Sequence, residues 1–408
     1  MNMFSGGLWR KANLWIITAG MLLVLIVPSL SRAVDLGNGF SLTNVTYLDF
    51  TNATGDLLDP DNPDVGKAAD SNRALANGFH FTRVYLTLVK EVNDQLLIRI
   101  TTDQMSPILN TANAAANSEA TPFGLSGFGG GNGRANFFFK FVYLQYKFSP
   151  ALMIRAGQTQ TPWIATEEER WTLRFLRPTF WDEQGALTAS DLGVAALGSI
   201  MNNLVSYHVM FSNGEGYENS GIDGRGYAGQ GRIDLNLPFG FTFSAFGLME
   251  TLDKGVQNFN PRREIFYAMY THSLFRVAAE YIMADDGNVA PGVLAVPTTP
   301  TSASGTKGPA TSSPRYDQGK GYGAWAWTRI PGIEPVRIFG RFYTMKPNHN
   351  TDAGKMTEFN AGISYDVFKE LIVAIDDTIL DQKLLRTSDG SIQDFKDNII
   401  GVRAQLSF

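Results

Sequence analysis

The chain alternates between segments of about ten residues that are rich in Val, Ile, Phe, Tyr and Thr and joins that are rich in polar residues. Inside many segments apolar and polar residues alternate with a period of two, which is the pattern of a β-strand with two unlike faces. In the last segment the apolar positions are Ile400, Val402, Ala404, Leu406 and Phe408, and the residues between them are small, charged or polar. The pattern predicts an all-β fold.

The joins alternate between very short turns and long stretches rich in Gly, Asn, Asp and Pro. The short joins lie at 92–95, 148–151, 200–203, 237–240, 272–275, 330–335 and 367–370. The long joins cover roughly 51–76, 104–135, 160–190, 213–226, 251–262, 285–320, 346–355 and 381–396. Seven short and eight long joins connect sixteen strands, which run from Phe40 to Phe408.

Short turns on one side and long loops on the other are typical of an outer-membrane barrel. Unpaired backbone groups in hydrocarbon each cost several kcal/mol, so such a sheet has to close on itself. We therefore predict a transmembrane antiparallel β-barrel of sixteen strands over residues 34–408, with short periplasmic turns and long extracellular loops. The first strand then pairs with the last, which makes Phe408 the closing seam and a member of the interfacial aromatic girdle.

A soluble protein of two β-sandwiches is the alternative, although its loops need not alternate so regularly between short and long. The stretch at 290–314 resembles a linker between domains. Because strands of the same kind continue on both sides of it, we predict an exposed, disordered loop of a single barrel domain.

Charged residues inside the strands indicate which positions face the lumen, because an Arg or Lys that faces lipid at mid-membrane costs about 2–4 kcal/mol. On this rule the lipid-facing positions are Ile98, Ile100, Val142, Leu144, Leu152, Ile154, Val277, Ala279, Val336, Ile338, Phe359, Ala361, Ile363, Val373 and Ile375. The basic pore-lining candidates are Arg83, Arg99, Lys147, Arg155, Arg232, Arg276, Arg337, Arg341 and Arg403. The acidic lumen-facing positions are Asp103, Asp234, Glu280, Glu358 and Asp376.

Nine basic residues against five acidic ones predict a lumen that leans basic and a weak preference for anions. The alternative is that opposed rows of charge only keep the pore wet. Strands near 137–141, 264–271 and 322–327 are apolar on both faces, so the pattern leaves open which of their residues, Lys140 included, face the lumen.

Sixteen strands enclose a lumen too wide for side chains to fill, so the interior is expected to be aqueous. The third long loop, at 161–190, is rich in Trp, Phe and Arg, and we predict that it packs against the inner wall and narrows the pore. Its candidate anion contacts, which would share one face of a helical turn, are Arg170, Arg174 and Arg177. Three acids precede them, so ion pairing that only holds the loop's shape is the alternative; they are Glu167, Glu168 and Glu169.

The N-terminus has the layout of a secretory signal. Arg10 and Lys11 precede an apolar run at 14–27, and Ser31 and Ala33 are the small residues that a signal peptidase reads. The run covers about 21 Å as a helix, which is short of a hydrocarbon core of about 30 Å and disfavours a permanent anchor. We predict that residues 1–33 are cleaved and that the mature protein is exported to the bacterial outer membrane.

Charge and composition narrow the functional classes. Cleavage removes three basic residues and leaves 31 basic against 39 acidic residues, a net charge of −8, which argues against nucleic acid as a partner. The absence of Cys excludes disulfides, thiolate metal sites and covalently attached c-type haem. We predict no cofactor and no metal.

Catalytic motifs are missing from the sequence. The four His residues belong to no HExxH motif, there is no GxSxG motif, and the Gly-rich stretch at 127–133 lacks the Lys and Ser or Thr of a phosphate loop. We therefore predict a protein that is not an enzyme. An outer-membrane hydrolase stays an alternative, as does a barrel that encloses an electron-carrying partner.

Three segments resemble the phosphate-selective porin O and P family in order and spacing. They are FVYLQYKFSPALMIRAGQTQTPW at 141–163, SDLGVAALG at 190–198 and YHVMFSNGEGY at 207–217. The resemblance implies a sixteen-stranded homotrimer in outer-membrane lipid that passes small, often anionic, solutes by diffusion and is inserted by the outer-membrane assembly machinery. It also implies basic residues at the constriction, in the loop that holds Arg170, Arg174 and Arg177; the three Glu residues depart from that pattern.

Overall fold

The computed structural model describes residues 33–55, 77–105, 137–214, 216–217, 226–253, 258–287, 316–385 and 391–408. The predicted signal peptide except Ala33, the Gly-rich stretch at 127–133 and the predicted disordered loop at 290–314 lie outside these residues. No helix in the described part of the chain is both long and apolar enough to cross a membrane.

The described residues form one antiparallel sheet in which each long strand pairs with its neighbours in the chain. The long strands are β1 (Phe40–Gly55), β2 (Gly78–Glu91), β3 (Leu96–Met105), β4 (Phe137–Ser149), β5 (Leu152–Gln160), β6 (Ser190–Ile200), β7 (Val205–Ser212), β8 (Gly226–Asn236), β9 (Phe241–Asp253), β10 (Arg262–Thr271), β11 (Phe275–Asp285), β12 (Gly319–Ile330), β13 (Ile333–Lys346), β14 (Met356–Phe368), β15 (Leu371–Leu385) and β16 (Ile392–Ser407). The predicted sixteen-stranded barrel is confirmed. Two short strands that were not predicted, Val34–Gly37 and Asn258–Phe259, pair with the ends of β1 and β9.

The barrel closes where β16 pairs with β1, as predicted. At the end of this ladder the backbone N–H of Asn44 donates to the carbonyl of Phe408 at 2.6 Å, and the N–H of Phe408 donates back at 3.0 Å. Arg403 reinforces the seam, because its guanidinium contacts Asp49 on β1 at 2.5 Å and Asp376 on β15 at 2.6 Å. The C-terminal residue is therefore part of the closing ladder.

The predicted loop at 381–396 is wrong, because most of it is strand. The ladder between β15 and β16 continues to the pair of Leu385 with Ile392. Lys383 lies opposite Asp394, with Nζ 2.8 Å from the carboxylate, so opposite charges stabilise the extension across the strands. The polar composition that indicated a loop comes from these cross-strand pairs.

In strands with one charged and one apolar phase, the charged residues face the lumen and the apolar residues face outward, as the sequence pattern predicts. Lys140, whose orientation the sequence pattern does not decide, faces inward, with Nζ 3.3 Å from the hydroxyl of Tyr85. A β-bulge at this residue brings it inward, because Phe139 and Phe141 pair with consecutive residues of β3. On β10 and β12 the inward phase carries Arg263, Ile265, Tyr267, Trp325 and Trp327, all of which are buried.

Candidate functional site: the constriction loop and the lumen wall

The constriction loop, which we define as residues 161–189, folds into the barrel as predicted. It contains the helices α1 (Ile164–Trp171) and α2 (Phe180–Glu183). Trp163 packs against Phe246 and Tyr267 of the wall, with ring centroids 5.8 and 5.5 Å away. Apolar side chains of the loop are almost fully buried: Trp163, Ile164, Trp171, Leu173, Phe175, Leu176, Phe180 and Trp181. These aromatic and aliphatic residues fold the loop inward because only the lumen side of the wall can cover them.

The loop packs on one part of the wall. Trp171 lies 5.2 Å from Trp325 on β12, and Phe180 stacks on Tyr343 of β13 at 4.9 Å between centroids. The buried wall residues of this core belong to β1, β9–β13 and β15, and among described residues of β2–β8 only the partly buried Tyr85 packs against it. The wall of β2–β8 is thus the side that the loop leaves largely free of apolar contact.

Wall arginines hold the loop's backbone. Nη1 of Arg341 donates to the carbonyl of Pro178 at 2.7 Å, and Nη1 of Arg276 donates to the carbonyl of Arg170 at 2.8 Å. Arg263 donates through Nε to the carbonyl of Ala186 at 3.1 Å. Buried carbonyls need such partners, so these wall arginines position the loop. Sequence reasoning missed Arg263 because Arg262 and Arg263 are adjacent and fit either phase of the strand.

Each of the three predicted loop arginines contacts a carboxylate. Arg170 lies 2.8 Å from Asp234 on β8, and its guanidinium lies 5.0 Å from the ring centroid of Tyr267. Arg174 lies 2.5 Å from Glu168. Arg177 contacts Glu183, and it lies 3.4 Å from Glu358 on β14.

The expected row on one helix face does not form. Helix α1 ends at Trp171 because Thr172 adopts a left-handed backbone with φ of 64°, and Arg174 and Arg177 follow in irregular structure. Arg170 is the single member of the three that lies on α1. Their ion pairs agree with the loop-shaping interpretation, and a direct role in selectivity stays a prediction.

The three acids that precede the loop arginines lie in different environments. Burial, followed by the negative charge of Glu280, raises the pKa of Glu167, which accepts a hydrogen bond from Nε1 of Trp163 at 3.2 Å. Burial alone would raise the pKa of Glu168, but Arg174 and Lys140 outweigh it and lower the pKa. Glu169 is exposed.

Charged groups of the loop and of the free wall meet in one zone, which we name the constriction cluster. It consists of Arg83, Asp103 and Lys140 on the wall and Glu168, Arg174 and Asp182 on the loop. Arg83 lies 2.6 Å from Asp103, and Arg174 lies 2.5 Å from Glu168 and 3.7 Å from Asp182. Lys140 and Arg83 both act electrostatically on Glu168 from the wall side. Three cations and three anions meet here, so the cluster is close to electrically neutral.

The pore-lining candidates divide into two groups. Five contact carboxylates: Arg83 with Asp103, Arg232 with Asp234, Arg337 with Asp366, Arg341 with Glu358, and Arg403 with Asp49 and Asp376. The other four have no ion pair among the described residues: Arg99, Lys147, Arg155 and Arg276. Among the pore-lining candidates, the positive charge that no carboxylate neutralises is therefore concentrated on these four side chains.

A closed sixteen-stranded barrel with a loop folded into its lumen defines the architecture of a porin-type β-barrel. No protein-family model matches the chain, and no curated protein matches it by sequence. Among solved structures, OmpF of Salmonella typhi in complex with daunomycin is similar, with 12% identity, a TM-score of 0.57 and coverage of 91% of this chain and 98% of that one.

Two further structures share the fold. The anion-selective porin of Comamonas acidovorans has 9% identity and a TM-score of 0.56, and the match covers 90% of this chain and 99% of that one. OmpT of Vibrio cholerae, an outer membrane protein solved in a trimer form, has 9% identity, a TM-score of 0.50 and coverage of 91% and 100%. At these identities the likeness establishes the barrel fold, and the function is argued from the site.

Proposed function

We propose that this protein is an outer-membrane porin, a passive diffusion channel for small hydrophilic solutes and ions with a weak preference for anions, among them phosphate-like ions. The observation that carries the proposal is the asymmetric attachment of the constriction loop. Its apolar side chains pack mainly on β9–β13, whereas Glu168, Arg174 and Asp182 face Arg83 and Lys140 on the polar wall of β2–β8. Such a loop narrows a wide barrel and leaves the charged wall to contact solutes.

The proposal includes export through the signal peptide, insertion into outer-membrane lipid by the assembly machinery, and assembly as a homotrimer. The exposed apolar residues on the outward phase of the strands, such as Val194, Phe211 and Ile363, support contact with lipid. The trimer form of OmpT, a structure with the same fold, supports the homotrimer.

The loop's position disfavours the alternative of a sheath around an electron-carrying partner. Trp171 reaches Trp325 on β12, whereas Phe175 lies 6.4 Å from Tyr47 on β1. The loop thus occupies lumen space between distant strands, space that an enclosed partner would need. No described feature favours a hydrolase, and the proposed channel involves no catalysed reaction.

The decisive experiment is single-channel recording of the purified, folded protein in a planar bilayer, with the reversal potential measured across a KCl gradient. We expect discrete conductance steps and a reversal potential whose sign shows that chloride is more permeant than potassium. The same preparation after boiling is the control, because it contains the same polypeptide without the barrel. A heat-resistant, β-rich barrel that produces no conductance steps would overturn the proposal.

A further inference from the structure

Two guanidinium groups lie on the free wall on either side of one tyrosine. Arg99 on β3 pairs across the sheet with Tyr143 on β4, and Arg155 on β5 pairs with Gln145, two residues along the same strand. Arg99 and Arg155 both face the lumen and are partly exposed. The two positive charges are close enough for Arg99 to act electrostatically on Arg155.

Both guanidinium groups are held by neutral partners. Nε of Arg99 donates to the hydroxyl of Thr101 at 3.0 Å, and its guanidinium lies 4.9 Å from the ring centroid of Phe141. Nε of Arg155 donates to Gln145 at 2.8 Å, and its guanidinium lies 5.1 Å from the ring centroid of Tyr143. Stacking on an aromatic ring and a bond through Nε orient the planar group without neutralising its charge.

The outer nitrogens of these groups are largely available. Nη1 of Arg155 donates to Gln160 at 2.9 Å, whereas its Nη2 and both Nη atoms of Arg99 make no hydrogen bond within the described part of the barrel. These nitrogens are also absent from the buried polar atoms that lack partners, so solvent reaches them. Five of the other pore-lining candidates, by contrast, are neutralised by Asp or Glu.

Two like charges without a counter-charge repel each other, and an anion that bridges them removes the repulsion. Phe141 and Tyr143 are two residues apart on one strand, which separates their rings by about 7 Å. The guanidinium groups that stack on them present two separate donor sites for carboxylates, namely both Nη atoms of Arg99 and Nη2 of Arg155, with aromatic rings beneath. This spacing suits a molecule with a carboxylate at each end and a short apolar chain between.

We propose that Arg99 and Arg155 form a binding site for short aliphatic dicarboxylates on the lumen wall, with Phe141 and Tyr143 as its floor. The inference rests on the proposed channel function for how the solute reaches the site. Its core statement, that the folded barrel binds a dicarboxylate at this pair, stands apart from conduction.

The test is isothermal titration of succinate into the folded, detergent-solubilised protein at low ionic strength. Removal of one full charge next to a bound carboxylate in Arg99→Gln is expected to weaken binding at least tenfold, which corresponds to about 1.4 kcal/mol. The matched control is Lys147→Gln, which removes another lumen charge on β4 that has no ion pair among the described residues. This variant is expected to weaken succinate binding less than twofold. Arg99→Lys keeps the charge and loses the fork, so intermediate affinity is expected.

Heat-resistant migration on a gel establishes that each variant is folded, and Arg155→Gln provides a second route if Arg99→Gln fails to fold. Equal succinate affinity in the wild type, Arg99→Gln and Arg155→Gln would overturn the inference. So would acetate binding as tightly as succinate, because a single carboxylate is too short to contact both guanidinium groups. A barrel that conducts but does not bind succinate refutes this site alone, whereas one that binds but does not conduct refutes the channel alone.

Discussion

Replacement of Trp171 by Ala is expected to release the constriction loop from the wall. Trp171 is the last residue of α1, is almost fully buried, and packs against Trp325 at 5.2 Å and Phe339 at 6.2 Å between ring centroids. Its Nε1 has no hydrogen-bond partner among the described residues, so the substitution removes apolar contact without leaving a polar atom unpaired.

The expected cost follows from the burial of the ring. Truncation of a buried Trp or Phe to Ala typically costs about 3–5 kcal/mol. If the loop's docking to the wall becomes less favourable by the lower figure, about 3 kcal/mol, the ratio of docked to released loop drops by about two orders of magnitude. Since β-barrel strands hydrogen-bond independently of the loop, we expect the barrel itself to stay folded.

Single-channel recording measures the effect. A released loop should give a larger mean conductance and more current noise, and limited proteolysis should cleave within 161–189. Trp171→Phe keeps most of the apolar surface and should behave like the wild type, and Phe211→Ala, which removes an exposed aromatic ring from the outer face, controls for general destabilisation. Wild-type conductance and full protease resistance in Trp171→Ala would refute the loop's role as the constriction.

Three further perturbations test other parts of the barrel. Arg403→Ala leaves Asp49 and Asp376 buried without their cation and should destabilise the folded barrel by about 3–5 kcal/mol. The barrel should then lose its heat-resistant migration on a gel at a lower temperature. An unchanged temperature would contradict the seam's dependence on this residue. Deletion of Phe408 removes both backbone hydrogen bonds to Asn44 and should reduce the folded yield in the outer membrane, and a normal yield would contradict its role in closure. Burial raises the pKa of Glu167 above its ordinary value of 4.5, so the folded state binds this proton more tightly than the unfolded state does. The free energy of unfolding therefore falls as the pH rises above that value. Glu167→Gln should flatten this pH dependence in thermal unfolding, and an unaltered slope would contradict the expectation.

Strand number and barrel closure could be predicted because both depend on local patterns. Period-two alternation and turn composition are properties of neighbouring residues, and a membrane barrel must pair its first and last strands. In the structure Arg83, Arg155 and Arg403 lie on the face opposite the exposed apolar residues of their strands, and each lies in a strand with one clearly apolar face. The predicted loop at 381–396 was wrong because cross-strand ion pairs have the same composition as a loop.

The site could be predicted only in outline. The aromatic content of the third loop indicated an inward fold, but its partners are distant in sequence: Arg341 holds Pro178 across 163 positions. The inward position of Lys140 depends on a β-bulge, and the end of α1 depends on the left-handed backbone of Thr172, neither of which has a clear signal in the chain. Pairing of the loop arginines likewise depends on which strands the loop packs against.

The distribution of charge places the two tasks of the proposed channel at different points of the lumen. In the constriction cluster Arg83 and Arg174 each lie within 2.6 Å of a carboxylate, and Lys140 acts electrostatically on Glu168 and Asp103. Because charges of opposite sign largely cancel there, the field on a passing ion falls off steeply with distance. Such a zone discriminates by size and hydration more than by the sign of the charge. Arg99 and Arg155 have no counter-charge among the described residues, so their field is that of a net positive charge and extends over about a Debye length, roughly 8 Å at physiological ionic strength. On the proposed function the loop therefore limits the size of the solute, and the wall of β3–β5 sets the preference for anions.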